Sequence, residues 1–223
     1  MSSRATIQID TTGSGPQISK HIFGHFAEHL GRCIYDGLWV GPESTVPNVR
    51  GWRSDLVAAL REIKIPNLRW PGGCYADDYH WRDGIGPSQQ RPRRINAHWG
   101  GVIDDNAVGT HEFLDLCEQL DCEPYLAGNV GSGTVRELRE WVEYVNAPAG
   151  NMAEGRAANG RKEPWNVRLW GVGNENWGCG GHMRADYYAD EYWRYATYVQ
   201  AYPQASTYRL ACGPNEADYN GPK

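Results

Sequence analysis

The alternation of apolar and polar positions predicts strands and helices in turn along the chain. Short apolar runs typical of strands occupy residues 5–10, 22–30, 67–70, 123–128, 167–173 and 209–213. Apolar residues at three- and four-residue steps predict helices at 51–63, from Thr110, from Thr134 and at 184–202. Thr134 and Glu137 fit a capping box, and the polar stretch 146–165 is expected to be a loop. From residue 17 onward the chain repeats a strand–helix unit.

Repeated strand–helix units predict parallel strands with right-handed crossovers, in either a doubly wound sheet or a (β/α) barrel. No glycine fingerprint for a dinucleotide or a phosphate opens a helix after the first strand, whereas polar residues gather at the C-terminal ends of several strands. We therefore expect an α/β fold, the N-terminal portion of a (β/α)8 TIM barrel. About five of eight strands fit before Lys223, so the first and fifth would be unpaired edges. Either the chain is a piece of a longer protein or another chain completes the barrel.

Composition narrows the functional classes. The 223 residues are 40% hydrophobic, enough for one sizeable core, and contain no apolar run of about eighteen residues that could span a membrane. A formal net charge of -5, with one short basic run at 91–94, argues against a nucleic-acid surface. The N-terminus lacks the apolar core of a secretory signal, so we expect a cytoplasmic protein. Nothing in the sequence implies a cofactor.

Six cysteines are scattered without a C-x-x-C pair, which indicates neither a zinc ribbon nor a dense disulfide framework. Cys74 and Cys179 both follow strand ends on the same predicted face, so we hypothesise that they form a disulfide, which a Cα separation above ~7 Å would contradict. The other four are expected to be buried thiols. His25 and His29 flank Glu28, but their spacing on a strand does not match the helical zinc motif, and no metal site is predicted.

The chemistry-bearing residues centre on Asn174 and Glu175, at the end of the predicted strand 167–173. A carboxylic acid can protonate a leaving oxygen while a neighbouring carboxamide holds a sugar hydroxyl, which is the combination that glycoside hydrolysis needs. The two-residue period of strands directs Glu28 and Glu175 into the barrel mouth but Asn174 to the opposite face, unless the strand has already bent there. Trp99, beside two glycines, is either a core residue or a sugar-stacking platform.

Six separated segments carry a resemblance to a known family: residues 22–35 (IFGHFAEHLGRCIY), 69–75 (RWPGGCY), 80–87 (HWRDGIGP), 98–101 (HWGG), 109–113 (GTHEF) and 170–175 (WGVGNE). Together they resemble the α-L-arabinofuranosidases of glycoside hydrolase family 51. The resemblance implies a catalytic (β/α) barrel plus a β-sandwich. Residues 1–16 would contribute a strand to the sandwich, and residues 17–223 would form the N-terminal portion of the barrel.

The resemblance also implies roles for individual residues. Glu175 would be the general acid/base, and Asn174 would bind the sugar hydroxyl next to the reacting carbon. Arg69 would lie near the catalytic carboxylates as their electrostatic support. The full set of implied substrate-binding residues is Glu28, Arg69, Cys74, Trp99 and Asn174.

The family's nucleophilic glutamate lies on strand seven, which would fall beyond Lys223. Glu216, after the fifth strand, is interpreted as a rim residue rather than a replacement. The implied reaction is retaining removal of non-reducing terminal α-L-arabinofuranosyl residues from arabinosides, arabinan or arabinoxylan oligosaccharides, with this chain alone impaired and the full-length form a homo-oligomer. The alternatives are an endo-glucanase or xylosidase of the same fold, or a non-catalytic arabinoside-binding fragment.

Overall fold

The structure, a computed structural model, describes residues 4–13 and 15–215. Its centre is a sheet of five parallel strands: β1 His25–Phe26, β2 Asn67–Trp70, β3 Glu123–Gly128, β4 Leu169–Val172 and β5 Tyr208–Ala211. The spatial order of the strands is their order in the chain, so β1 and β5 are the edges of this sheet. Parallel strands in sequential order, with helices between most of them, confirm the predicted class, a partial α/β barrel.

The described part of the chain has five α-helices beside the sheet: α1 Ser54–Glu62, α2 Thr110–Leu120, α3 Val135–Asn146, α4 Asn151–Ala158 and α5 Ala185–Ala196. The predicted apolar stripe of α2 is buried, and its Phe113 ring stacks on Trp70 of β2 with centroids 5.0 Å apart. Trp170 of β4 meets Trp141 of α3 edge to face, with centroids 5.7 Å apart. Because burying such large rings stabilises a fold strongly, these ring contacts attach α2 and α3 to the sheet.

The helix starting after Thr134 begins as predicted, because the Thr134 hydroxyl accepts a hydrogen bond from the Glu137 backbone N–H. The reciprocal half of the capping box is replaced: the Glu137 carboxylate pairs with His80 at 2.8 Å. The prediction of a loop throughout 146–165 is wrong, since α4 lies within it. Arg156 of this helix is fully buried and donates to the Tyr144 carbonyl, so a tertiary contact stabilises a segment whose polar, small residues hide its helicity.

Two tyrosines of the predicted helix 184–202 attach it to β4 and to the loop after β3. Tyr188 donates to the carbonyl of Val172, and Tyr195 to the carbonyl of Gly133. The helix ends at Ala196, earlier than predicted.

Of the two predicted N-terminal strands, one is shorter than predicted and the other is not formed. Residues 20–23 form a 3-10 turn capped by Ser19, so the strand predicted at 22–30 is reduced to His25–Phe26. Backbone hydrogen bonds nevertheless continue along β2, from the N–H of Ala27 to Arg69 and from that of His29 to Pro71. The predicted strand at 5–10 is not formed: these residues are exposed and irregular. Their assignment to a β-sandwich stays a prediction.

Two antiparallel hairpins, which the sequence patterns did not predict, flank the sheet. Asn48–Val49 pairs with Trp52–Arg53, and Arg94–Asn96 pairs with Val102–Asp104. The second hairpin carries Trp99 in its connecting turn. Within residues 4–13 and 15–215, no helix has the length and apolar character needed to cross a membrane.

Candidate active site

The predicted site residues lie where β1, β2 and β4 end on the same edge of the sheet. Glu28 follows β1, Cys74 follows β2, and Asn174 and Glu175 follow β4. Since all five strands are parallel, their C-terminal ends share this edge, and the connecting loops can bring distant side chains together. The edge is therefore where the chemistry of the chain is concentrated.

Glu28 is fixed by three hydrogen-bond donors. It is 4% exposed, and its Oε1 accepts from the N–H of Gly73 at 2.9 Å, the N–H of Tyr75 at 3.1 Å and Nε1 of Trp99 at 3.0 Å. Gly72 allows this approach, because a Cβ there would lie 2.7 Å from the Glu28 Cγ. Three donors compensate a carboxylate that burial would otherwise disfavour. Trp99 is partly exposed, packs against the core and is oriented by its hydrogen bond to Glu28; its contact with a sugar stays a prediction.

In the described part of the chain, the side-chain amide of Asn174 has a hydrogen-bonded oxygen and an unpaired nitrogen. Its Oδ1 accepts a short hydrogen bond from Arg69 Nη2, whereas its Nδ2 is buried without a hydrogen-bond partner among the described residues. A buried donor left unpaired costs about 1–3 kcal/mol. A Cβ on Gly73 would lie 3.5 Å from both this Nδ2 and Glu28 Oε1, so the two polar groups flank the same position. That arrangement suits a ligand that offers hydroxyl groups.

The strand parity that assigned Asn174 to the opposite face does not apply, because β4 ends at Val172. Gly173 has φ +85° and Glu175 has φ +41°, so the chain turns through left-handed conformations immediately after the strand. A positive φ is uncommon for a residue with a side chain and is often found at functional sites. The carbonyl of Glu175 accepts the N–H groups of Gly178 at 2.7 Å and Gly180 at 3.1 Å, which fixes its backbone.

The side chain of Glu175 is exposed beside a disulfide. Cys74 and Cys179 are bonded with Cα atoms 5.4 Å apart, which confirms the predicted pairing. Glu175 Oε2 lies 3.4 Å from Cys179 Sγ and 3.9 Å from Cys74 Sγ. The bond joins the loops that follow β2 and β4. Cys33, Cys117, Cys122 and Cys212 are free thiols, although only Cys117 is fully buried.

Asp77 is the site residue that the sequence patterns missed. It is 4% exposed, its Oδ1 accepts the N–H groups of Val130 at 2.7 Å and Gly131 at 2.9 Å, and its Oδ2 accepts the N–H of Asn174 at 2.8 Å. Burial raises the pKa of Asp77 from its ordinary 3.8 to about 6, although the backbone donors and Arg69 act in the opposite direction. One carboxylate therefore connects the loops after β2, β3 and β4. Its only signal in the sequence is an acidic residue soon after the Pro-Gly-Gly turn.

Arg69 contacts Asn174 rather than an acidic side chain. Its guanidinium also lies 4.9 Å from the centroid of the Phe26 ring and 5.7 Å from that of Tyr125, and it donates to the carbonyl of Gly72. The charge of Arg69 nevertheless helps to lower the pKa of Asp77. Among the ion pairs of the described residues, none joins Arg69 to Glu175. Electrostatic support of the catalytic carboxylates by Arg69 stays a prediction.

His29 is committed to a buried network rather than free to bind a metal. Its Nε2 accepts from Trp70 Nε1 at 2.9 Å, so its Nδ1 is the protonated nitrogen that donates to Asp104 at 2.8 Å. Asp104 also accepts the hydroxyl groups of Tyr35 and Tyr75, and burial raises the pKa of both tyrosines. The network attaches the hairpin that carries Trp99. Glu216 lies outside the described residues.

Comparisons with known proteins agree with this architecture. The sequence model of the family described as "Alpha-L-arabinofuranosidase 1 domain" matches residues 59–208. An intracellular exo-α-L-arabinofuranosidase of Bacteroides ovatus is 54% identical over 216 residues, which are 96% of this chain and 42% of that protein. The α-L-arabinofuranosidase C of Emericella nidulans is 46% identical over 163 residues, covering 73% of this chain and 32% of its own length.

Solved structures are also similar. The crystal structure of the glycoside hydrolase family 51 arabinofuranosidase of Xanthomonas axonopodis pv. citri has a TM-score of 0.90 and 53% identity, over 92% of this chain and 42% of that one. The arabinose complex of the α-L-arabinofuranosidase of Thermotoga maritima has a TM-score of 0.82 and 43% identity, over 88% of this chain and 41% of that one. The chain thus spans about two fifths of the length of these three bacterial proteins and about a third of the Emericella enzyme.

Proposed function

Because the chain belongs to the α-L-arabinofuranosidases of glycoside hydrolase family 51, we propose that its strand ends form the acid/base half of a retaining arabinofuranosidase site. The observation that carries the proposal is the pairing of an exposed carboxylate, Glu175, with an adjacent buried amide, Asn174, whose Nδ2 is unpaired among the described residues. An exposed acid can reach a glycosidic oxygen, while a desolvated amide can recognise a hydroxyl group.

In this proposal Glu175 is the general acid that protonates the departing glycosidic oxygen and then the base that activates water. Asn174 binds the hydroxyl next to the reacting carbon, and Arg69 orients the Asn174 amide through Oδ1. Glu28, held by three donors, accepts hydrogen bonds from other sugar hydroxyls. Trp99 covers one side of the pocket, and Cys74 another.

A retaining mechanism needs a second carboxylate about 5–5.5 Å from the acid, which attacks the sugar and forms the glycosyl-enzyme. Asp77 does not suit this role, because its two oxygens already accept three backbone N–H groups. We propose that none of residues 1–223 supplies the nucleophile, so this chain alone binds arabinosides but turns them over poorly.

The proposed substrates are non-reducing terminal α-L-arabinofuranosyl residues of arabinosides, arabinan or arabinoxylan oligosaccharides. The names of the Bacteroides and Emericella relatives support the sugar and, for the former, the exo mode of attack. The word "intracellular" in the name of the Bacteroides relative supports a cytoplasmic location. We further propose a homo-oligomer in the full-length form.

The test is the Glu175→Ala variant, assayed in the protein isolated at its natural length. Substrates with good leaving groups need little protonation, so their first step should be largely spared, whereas those with poor leaving groups should lose the general-acid contribution of about 10²–10⁴-fold. Glu62→Ala, which removes an exposed glutamate at the end of α1, is the matched control. It should leave the activity on both kinds of substrate unchanged. Equal losses on good and poor leaving groups would contradict the assignment of Glu175.

A further inference from the structure

The disulfide beside Glu175 places three potential metal ligands together. Cys74 Sγ, Cys179 Sγ and a carboxylate oxygen of Glu175 all lie within 4.8 Å of one another. Both cysteines are partly exposed and Glu175 is exposed, so small reagents can reach the group. In the oxidised state the sulfurs are bonded to each other and carry no thiolate charge. Two thiolates and a carboxylate, in contrast, are a ligand set that zinc accepts.

We propose that reduction of the Cys74–Cys179 bond creates a binding site for a thiophilic divalent cation such as Zn²⁺, formed by the two thiolates and Glu175. The metal site itself follows from the geometry, whereas its inhibitory consequence rests on the proposed role of Glu175 as acid/base.

The chemistry balances with a phosphine or dithiol reductant. With a phosphine, the sulfur–sulfur bond breaks and one water molecule is consumed: its oxygen ends in the phosphine oxide and its two hydrogens on the two thiols. With a dithiol, the two hydrogens come from the dithiol, which leaves as a disulfide. Binding of the cation then displaces both thiol protons, because the thiolate is the ligand. Water completes the fourth position of a tetrahedral site.

The present distances fit this geometry with little rearrangement. With Zn–S of about 2.3 Å and Zn–O of about 2.1 Å, a tetrahedral site separates sulfur from oxygen by roughly 3.6 Å. The observed separations of Glu175 Oε2 from Cys179 Sγ and Cys74 Sγ, 3.4 and 3.9 Å, bracket that value. Only the two sulfurs must move apart, to roughly 3.8 Å, and side-chain rotation can supply this with Cα atoms 5.4 Å apart.

Metal binding would remove Glu175 from proton transfer, because the coordinated oxygen lone pair can no longer accept or deliver a proton. The disulfide would then have a protective role: while it is closed, the carboxylate faces two sulfurs that cannot chelate. Activity would be insensitive to zinc in the oxidised state and inhibited by zinc in the reduced state.

The direct test is a metal titration of the 223-residue chain. The chain is first reduced with a phosphine, and the phosphine is then removed under anaerobic conditions. Co²⁺ is the probe, since thiolate coordination produces a charge-transfer absorption, and Zn²⁺ should displace it. The reduced chain should bind one equivalent and the oxidised chain none. Cys179→Ser should abolish the signal. Glu175→Gln should weaken binding at least by the 10–100-fold that the loss of a supporting residue costs a metal site.

A second cysteine pair requires a matched control. Cys117 hydrogen-bonds to Cys122 through the thiols, so this pair could also bind cobalt. Cys122→Ser should leave the titration unchanged; loss of the signal in this variant, or equal binding by the oxidised chain, would overturn the proposal. Glu175→Gln keeps the test decisive if Cys179→Ser fails to fold, because Glu175 is exposed, and unchanged affinity in this variant would also overturn it. If the reduced natural-length protein binds zinc and keeps full activity, the metal site stands and the acid/base role of Glu175 is refuted.

Discussion

Replacing Asp77 by Asn should damage catalysis far more than stability. The Asp77 carboxylate accepts N–H groups on both oxygens, from Val130 and Gly131 on one and from Asn174 on the other. An amide has one acceptor oxygen, so whichever way the Asn side chain is oriented, its NH₂ faces at least one backbone N–H. Two facing donors repel, and the loop after β3 or the segment at Asn174 must shift.

Two effects of the Asp77→Asn change on the free energy of unfolding nearly cancel: the loss of hydrogen bonds and the removal of a buried charge. Each buried donor left unpaired costs about 1–3 kcal/mol. Against this, the ionised form of Asp77 is itself costly, since raising its pKa from 3.8 to about 6 corresponds to roughly 3 kcal/mol above pH 6. The Asn variant has no such cost. We therefore expect its free energy of unfolding at pH 8 to lie within about 2 kcal/mol of the wild type. In the natural-length protein, a displacement of Asn174 and Glu175 by about 1 Å should lower kcat about 100-fold.

The pH dependence of stability provides the decisive assay. A carboxyl group whose pKa is higher in the folded than in the unfolded state contributes stability that is full below pH 3.8 and is lost as pH rises through about 6. Urea unfolding of wild type and Asp77→Asn at pH 4 and pH 8 should show the difference between them shrinking by up to about 3 kcal/mol as pH rises. A difference that is constant over this range, or an Asn variant with unimpaired kcat, would refute the reasoning.

Three further variants test other parts of the structure. Trp99→Phe removes a donor to the Glu28 carboxylate. In the natural-length protein it should raise KM for an aryl arabinofuranoside about tenfold or more, with a smaller change in kcat; an unchanged KM would count against contact with the sugar. Thr134→Ala removes the cap of α3 and should lower the free energy of unfolding by about 1 kcal/mol without changing KM, and an unchanged melting curve would contradict this. Burial lowers the pKa of His111 to about 4, so its contribution to stability is full above pH 6.5 and is lost as pH falls toward 4. His111→Gln should remove up to about 3 kcal/mol of this pH dependence in urea unfolding. Parallel stability profiles of variant and wild type would contradict this.

The elements that could be predicted from the sequence are those whose own residues determine them. The strand 123–128 was predicted with its observed bounds, because its apolar run is bounded by turn residues on both sides. The helix α2 could be predicted from its stripe of apolar residues alone, and the structure buries that stripe. In contrast, α4 is stabilised by the contact of its buried Arg156 with the Tyr144 carbonyl of the preceding helix, and a contact between two helices leaves no periodic signal. The two hairpins were missed for a related reason, since strands of two or three residues are too short to show alternation.

The parts of the candidate site that consist of distinctive side chains could be predicted from the sequence. The parts that depend on backbone hydrogen bonds could not. Glu28, Asn174, Glu175 and Trp99 are distinctive residue types in distinctive positions, and the structure brings them to one edge of the sheet. The partners of Asp77 are backbone N–H groups, which every residue except proline has, so no pattern of residue types could reveal them. Asn174 does not follow the two-residue period of the strand, because a left-handed turn at Gly173 ends the strand first.

The burial of Asp77 shows how stability and position are balanced at this site. An apolar residue there would avoid the cost of a buried charge but would leave three backbone N–H groups, in two different loops, without an acceptor. Because the loops after β3 and β4 have no strand or helix of their own at these positions, that acceptor fixes the backbone of Asn174, while Arg69 of β2 holds its side chain. A site that must hold an amide and a carboxylate in fixed relation can tolerate about 3 kcal/mol of burial cost if the alternative is a loop free to move by 1 Å.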